Sequence, residues 1–210
     1  MSKPPLDTDL RPVVLELTRE FDRISDDRKQ QLDRLSRYIS QKIAAGQPPR
    51  IIVICTHNSR RSHLGQLWLA VGADHYGLPK IQTFSGGTAP MAFNERMVRA
   101  LRRVGFDIST EDESNNPRYE VRWNDRVLPH RAFSKKYDQP PNPTDGFAAV
   151  MVCSEADEGC PFVAGCDFRL ALPYDDPKAF DDTPQETEQY DERVRQIGRE
   201  MLFVMSRVEG

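Results

Sequence analysis

The feature that most constrains the fold is an apolar run, Ile-Ile-Val-Ile at residues 51–54, which ends in Cys55 and is followed closely by a predicted helix. Apolar residues in continuous succession are typical of a strand that is buried on both faces, as in a parallel sheet. A second run of this kind occupies residues 147–153. Parallel strands need crossover connections, which are usually helices. The sequence therefore predicts an α/β protein with a small parallel β-sheet and helices on both faces.

The rest of the chain supports this class with alternating helix and strand signals. They are a helix from about Arg61 to Tyr76, a strand over residues 81–85, a helix capped by Asn94 and closed by Gly105, a strand over residues 168–172, and a C-terminal helix begun by a capping box at Thr183 and Glu186. Their order implies right-handed crossovers between the strands.

Two segments lie outside this alternation. Residues 1–49 carry two apolar stripes at helical spacing and predict an N-terminal helical extension, which packs either on the main domain or on a partner chain. The main domain then spans residues 50–210, with an insertion at about 111–146 that is rich in proline and locally basic. Tyr119, Val121 and Trp123 alternate in this insertion as in a β-hairpin strand. We expect a solvated excursion there; a surface for an anionic substrate or partner is the alternative.

Composition excludes several functions. The net charge of −3 argues against a nucleic-acid-binding protein. No apolar run approaches the ~20 residues that a membrane-spanning helix needs. The N-terminal residues show no apolar signal region, so a cytoplasmic protein is expected. Four cysteines in 210 residues do not form a disulfide scaffold, which leaves buried thiols, metal ligands or reactive groups. These cysteines are Cys55, Cys153, Cys160 and Cys166.

The chemistry is concentrated where the first strand ends. Cys55 is separated from Arg61 by five residues, and the loop leads into a helix. Such a loop can turn backbone N–H groups toward a tetrahedral oxyanion, and the helix N-terminus adds partial positive charge. Arg61 can bind two anion oxygens, and Ser62 can donate a hydrogen bond to Cys55. The same field favours a reactive thiolate. The predicted oxyanion-binding residues are Thr56, His57, Asn58, Ser59, Arg60 and Arg61.

The segment Cys-Thr-His-Asn-Ser-Arg-Arg-Ser at residues 55–62 resembles the signature loop of the low-molecular-weight protein tyrosine phosphatases and of the thioredoxin-coupled arsenate reductases that share their fold. The resemblance implies that Cys55 is the nucleophile and Asn58 shapes the loop. His57 departs from the family's usual glycine, and Arg60 is expected to add positive charge at the rim of the loop. Gln66 replaces an acid that some arsenate reductases use for potassium, so no metal site and no cofactor are predicted.

The resemblance also implies a general acid, an Asp that directly precedes a Pro late in the chain. Asp176 before Pro177 matches this pattern. Its carboxyl group would protonate the leaving oxygen. The neighbouring Asp175 is the alternative acid.

Cys153 and Cys160 resemble the redox pair of the arsenate reductases in their spacing, which implies that Cys55, Cys153 and Cys160 act in succession. If residues 153–160 were helical, the two Cα atoms would lie ~10.5 Å apart. A disulfide tolerates at most ~7 Å, so this segment would have to rearrange on oxidation. The alternatives are a buried strand end at Cys153, or a zinc site with Cys166 whose spacings differ from the usual pattern.

The sequence thus favours an arsenate reductase that gives arsenite. The alternatives are a phosphatase that hydrolyses phosphotyrosine through a Cys55-phosphate intermediate, and a module that only binds an anion. The expected partners are a tetrahedral oxyanion, arsenate or a phosphate ester, and thioredoxin or another thiol reductant. Neither nucleic acid nor a membrane is an expected partner.

Overall fold

The computed structural model of the chain describes residues 10–78, 80–125, 128–159 and 162–209, so Cys160 lies outside the described residues. The helices within these ranges are α1 (Leu10–Arg19), α2 (Asp26–Ala44), α3 (Arg61–His75), α4 (Glu95–Arg103), α5 (Ser154–Gly159) and α6 (Glu186–Ser206). The strands are β1 (Arg50–Cys55), β2 (Gln82–Gly87), β3 (Asp107–Ser109), β4 (Tyr119–Arg122), β5 (His130–Ala132), β6 (Phe147–Met151) and β7 (Cys166–Ala171).

The main sheet has the strand order β2-β1-β6-β7, and every neighbouring pair is parallel. Its two central strands are buried over residues 51–55 and 147–151. Because successive side chains of a strand point to opposite faces, both faces of these strands are covered. The predicted α/β class is therefore confirmed. The carboxyl ends of β1 and β6 lie side by side, which brings Cys55 and Cys153 to one edge of the sheet.

The insertion contributes the hairpin β4-β5 to a second, antiparallel sheet of strand order β3-β4-β5, in which β3 lies just before the insertion. The hairpin pairs Tyr119 with Ala132 and Val121 with His130. The β-hairpin expected in the insertion is therefore present. Its inward side chains Tyr119, Val121 and Ala132 are buried, so the hairpin is packed rather than solvated, while residues 113–115 and 138–141 of the insertion are exposed. After the hairpin the chain runs past β2, where Gly87 donates to the carbonyl of Lys135 and accepts from the N–H of Tyr137.

The N-terminal helices pack against α6. Apolar side chains of both stripes enter the core, namely Leu10, Val14, Leu17, Ile24, Leu32, Leu35 and Ile39. Ser36 donates from its hydroxyl to the carbonyl of Val204 in α6. Arg195 and Arg199 of α6 bind the carboxylate of Glu20 at 2.7 and 2.9 Å. The predicted extension is thus an integral layer of the packed molecule.

Most of the helix caps predicted from the sequence are present. Ser25 caps α2 and Asn94 caps α4 through side-chain oxygens that accept backbone N–H groups. The predicted capping box is wrong: the Thr183 hydroxyl donates to the Phe180 carbonyl, and α6 begins only at Glu186. Among the described helices none is long and apolar enough to cross a membrane.

Candidate active site

The candidate active site is built on the anion loop, residues 55–62, which connects β1 to α3. Cys55 lies at the carboxyl end of β1 and is buried, with its Sγ 3.1 Å from the Oγ of Ser62. Asn58 donates from Nδ2 to the same Ser62 oxygen at 2.9 Å. With the Asn58 amide as donor to Ser62, the hydroxyl hydrogen is free to point at Cys55, where it stabilises a thiolate.

The backbone of the anion loop is held from its outer side. The carbonyl groups of Cys55, Thr56, His57 and Ser59 accept N–H groups from residues 88–94 at 2.8–3.3 Å. In a trans peptide the C=O and the following N–H point in opposite directions. The N–H groups that follow these carbonyls therefore point away from residues 88–94. Several N–H groups on the same side of a short loop form an anion-binding concavity.

The left-handed backbone conformation in this loop falls on Asn58, with φ of 44°. Asparagine tolerates this region better than other non-glycine residues. His57, the departure from the family's glycine, therefore needs no special backbone freedom. Its carbonyl accepts the N–H of Met91 and the hydroxyl of Ser134.

Gly87, at the end of β2, lets the loop pack closely on the sheet. A Cβ at this position would lie 2.7 Å from the Asn58 nitrogen and 2.7 Å from the Thr56 oxygen. Both are backbone atoms of the anion loop, so they cannot move aside as a flexible side chain can. The conformation of the loop consequently depends on a residue outside it.

Arg61 connects the loop to the predicted general acid. Its guanidinium donates to the carbonyl of Tyr174 and to the carboxylate of Asp176, both at 2.7 Å. Asp176 also accepts the N–H of Lys178 at the start of a short 3₁₀ turn. Asp175 is exposed, and its carboxylate lies 3.6 Å from the largely buried side chain of Arg193. Of the two candidate acids, Asp176 is the one beside the anion loop.

Arg60 differs from its prediction. Its side chain is buried and donates to the Tyr190 hydroxyl at 2.9 Å and to the Asp181 carboxylate at 3.3 Å. The expected free positive charge at the rim is therefore wrong, because Asp181 neutralises it. Arg60 instead connects the loop to α6 and to the segment after β7.

Cys153 lies next to the anion loop. Its Sγ is 3.4 Å from the Oγ1 of Thr56, the residue after the nucleophile. Burial raises the pKa of the Cys153 thiol, and the charge of Cys55 raises it further. Cys166 begins β7 opposite Phe147, at the other end of the sheet. The length of β6, at ~3.3 Å per residue, separates it from Cys153, which excludes one zinc ion bound by both.

Several site residues had no recognisable sequence signal. Ser134 and Lys135 in the insertion contact the loop: the Ser134 hydroxyl binds the His57 carbonyl, and the Lys135 N–H donates to the Asn58 side chain at 2.9 Å. Lys135 is itself buried, and burial lowers its pKa to about 8. Tyr174 and Tyr190 hold Arg61 and Arg60. These contacts join residues distant in sequence, which local patterns do not reveal.

Two kinds of known protein are similar to this chain. No protein-family model matches it. Arsenate reductase 2 of Staphylococcus epidermidis is 27% identical over 127 residues, which are 60% of this chain and 77% of that protein; arsenate reductase 2 of Staphylococcus haemolyticus gives the same values. A low-molecular-weight phosphotyrosine phosphatase from Vibrio cholerae is 12% identical, with a TM-score of 0.49, over 75% of this chain and 95% of its own. A thioredoxin-dependent arsenate reductase from Corynebacterium glutamicum is 17% identical, with a TM-score of 0.40, over 91% and 96%.

The curated relatives are enzymes that are arsenate reductases by name, in agreement with the resemblance carried by the anion loop.

Proposed function

We propose that this chain is an arsenate reductase in which Cys55, Cys153 and Cys160 act in succession. The observation that carries the proposal is the position of Cys153, whose Sγ lies 3.4 Å from Thr56 in the anion loop. A phosphatase mechanism gives no role to a second thiol at this place. The curated arsenate reductases that are similar in sequence support the same reading.

The first step forms a bond between Cys55 and arsenic. Arsenate binds to the N–H groups of the loop and to Arg61, which exchanges its present partners, Tyr174 and Asp176, for anion oxygens. The Cys55 thiolate attacks As(V), and an arsenate oxygen leaves as water with a proton from Asp176. Arsenic keeps its oxidation state in this step.

The second step reduces arsenic. The Cys153 thiolate attacks the Cys55 sulfur, the electron pair of the S–As bond goes to arsenic, and As(III) leaves as arsenite. Two thiols have then been oxidised to a Cys55–Cys153 disulfide. Burial, with a smaller contribution from the charge of Cys55, raises the pKa of the Cys153 thiol, so forming the attacking thiolate is the costly part of this step.

The last steps return the site to its starting state. Cys160 attacks the Cys153 sulfur, which frees the Cys55 thiolate and leaves a Cys153–Cys160 disulfide. Thioredoxin or another dithiol then reduces this disulfide. No cofactor takes part in the proposed cycle.

The second candidate is hydrolysis of phosphotyrosine through a Cys55-phosphate intermediate. It is favoured by one observation: Cys55, Ser62, Arg61 and Asp176 are already assembled, and they suffice for this reaction without Cys153. The two candidates share their first step and differ in what attacks next, a thiol or water.

One preparation distinguishes them. Wild-type protein is assayed for thioredoxin-coupled arsenate reduction and for hydrolysis of an aryl phosphate. Cys153→Ser should abolish multiple-turnover reduction and leave hydrolysis nearly intact, since Cys153 acts only after the Cys55 bond has formed. Cys166→Ser is the matched control and should leave both activities unchanged, because Cys166 lies at the opposite end of the sheet.

Three results would contradict the proposal. Fast hydrolysis with no arsenate reduction by wild type assigns the chain to the phosphatases. Reduction that survives in Cys153→Ser removes the second thiol from the mechanism. If Cys55→Ser retains either activity, Cys55 is not the nucleophile of that reaction.

A further inference from the structure

The N-terminal extension contacts the segment that carries the general acid. Arg28, near the start of α2, donates from Nε to the Glu200 carboxylate at 2.7 Å and from Nη2 to the Pro173 carbonyl at 3.5 Å. Its guanidinium also lies over the Tyr174 ring, 4.6 Å from the centroid. The acid segment, defined here as residues 173–176, is thus in direct contact with the extension.

Arg28 and Glu200 form an ion pair that is largely shielded from solvent. The side chain of Arg28 is 16% exposed, and that of Glu200 is 6% exposed. Glu200 accepts from the Tyr174 hydroxyl at 2.7 Å with the same oxygen that binds Arg28. Burial raises the pKa of Tyr174, so its hydroxyl remains a donor. Because the buried Glu200 carboxylate binds both side chains at once, the side chains of Arg28 and Tyr174 have little conformational freedom.

Arg61 holds the same segment from the other side. It binds the carbonyl of Tyr174 and the carboxylate of Asp176. When an oxyanion takes the guanidinium of Arg61, these two bonds are lost. The contacts made by Arg28 and Glu200 do not involve the anion loop, so they remain to hold the acid segment in place.

We propose that Arg28 is a positioning residue for Asp176, through which the N-terminal extension keeps the general acid over the anion loop once Arg61 has turned to the substrate. The inference rests on the proposed Cys55 chemistry, since protonation of a leaving oxygen is the step it serves. It assigns the extension a role in catalysis in addition to its role in the core.

The activity test uses a series of aryl phosphates whose leaving groups differ in pKa. Arg28→Gln should lower kcat/KM about 10-fold for phenyl phosphate, whose leaving group needs a proton, and less than about 2-fold for 4-nitrophenyl phosphate. Arg28→Lys keeps the charge but not the planar fork, and should give an intermediate loss. In an Asp176→Asn background, Arg28→Gln should have no further effect, because it acts through Asp176.

The control is Arg195→Gln, which breaks a comparable ion pair between α6 and the extension, with Glu16 and Glu20. It should leave the leaving-group dependence unchanged. Equal losses for all substrates, or an undiminished effect of Arg28→Gln in the Asp176→Asn background, would show that Arg28 has only a structural role.

Hydrogen exchange provides a readout that does not depend on activity. The amides of residues 174–176 and 178 should exchange about 10-fold faster in Arg28→Gln than in Arg195→Gln. Equal exchange in the two variants overturns the inference. If wild type neither reduces arsenate nor hydrolyses aryl phosphates, the proposed function fails, while the exchange result still decides whether Arg28 holds the acid segment.

Discussion

The two cysteine-bearing segments at this edge of the sheet, one after β1 and one after β6, are built differently. The anion loop after β1 has four carbonyl groups bound by residues 88–94, and its side chains bind the insertion and α6. Residues 154–159 after β6 form the short helix α5, in which Ala156 is the buried residue. Arg169 holds this helix through the Asp157 carbonyl and carboxylate.

This difference matches two different chemical tasks. An anion-binding loop works best when its donors are fixed before the substrate arrives, since no reorganisation is then needed. A disulfide between Cys153 and Cys160 needs the opposite. Residues 154–159 are helical. An uninterrupted helix from residue 153 to residue 160 would separate the two Cα atoms by ~10.5 Å, beyond the ~7 Å limit. We therefore expect the loop to resist change and α5 to yield.

The strongest test of the rigid side is Gly87→Ala. The added methyl group would lie 2.7 Å from two backbone atoms of the anion loop, so the loop must shift. Overpacking against backbone should cost about 3 kcal/mol of unfolding free energy. A displacement of the donors by ~1 Å should also lower kcat about 10²-fold. Urea unfolding and the two activity assays measure these effects.

The matched variant on the other side is Gly159→Ala at the end of α5. A Cβ there meets nothing within 4 Å, so it should fold normally and gain up to about 1 kcal/mol from helix propensity. If Gly87→Ala proves as harmless as Gly159→Ala, the anion loop is not held as tightly as its contacts indicate.

A second test concerns the free-energy cost of burying Lys135, the residue of the insertion whose N–H contacts the anion loop. Burial lowers the pKa of Lys135 to about 8, against an ordinary value of 10.5. As the pH falls from 10.5 to 8, the Lys135 amine becomes protonated in the unfolded chain but stays neutral in the folded protein. The free energy of unfolding therefore decreases over that pH range. The loss is about 3 kcal/mol and stays constant below pH 8.

Lys135→Met should therefore be more stable than wild type by up to about 3 kcal/mol at pH 7, with the difference vanishing near pH 10.5. The Asn58 contact persists, since it uses the backbone N–H of residue 135. Lys136→Met is the control, because Lys136 is exposed. Parallel stability curves for wild type and Lys135→Met would mean that the buried lysine is solvated in solution.

The third prediction separates the two neighbouring acids. Asp176→Asn should lower kcat about 10²-fold because the leaving oxygen loses its proton donor. Asp175→Asn should change kcat less than about 2-fold, since Asp175 is exposed and does not reach the loop. A larger loss in Asp175→Asn than in Asp176→Asn would reverse the assignment.

Features set by a local sequence pattern could be predicted from the sequence, whereas contacts between residues distant in sequence could not. The strand, the anion loop and the cap at Asn94 were predictable because each is a local pattern. The positions of Arg60 and Glu186 were not: Arg60 reaches Asp181, and the Glu186 carboxylate binds Arg96 and the N–H of Asp182. Asp181 and Arg96 are distant in sequence from the side chains they bind, so only tertiary packing brings these partners together. The roles of Cys153 and Cys160 stay predictions.

The smallest expected effect concerns the restraint on α5. Arg169 donates to the Asp157 carbonyl at 2.8 Å and reaches its carboxylate at 2.6 Å, in a half-exposed position. Such a pair contributes little to stability, so Arg169→Gln should lower the unfolding free energy by about 0.5 kcal/mol. Local opening of α5 should nevertheless become easier, with faster hydrogen exchange over residues 154–159 and unchanged exchange over residues 55–62.

Oxidation of the Arg169→Gln variant tests whether α5 must open before the disulfide forms. If α5 must open before Cys153 and Cys160 can join, Arg169→Gln should form that disulfide faster than wild type, about 2-fold for 0.5 kcal/mol. Aryl phosphate hydrolysis, which uses only the anion loop and Asp176, should stay unchanged. Arg169→Lys keeps the charge and should oxidise at nearly the wild-type rate. Equal oxidation rates in Arg169→Gln and wild type would show that opening of α5 does not limit this step. The difference in rigidity between the anion loop and α5 would then not control the rate of disulfide formation.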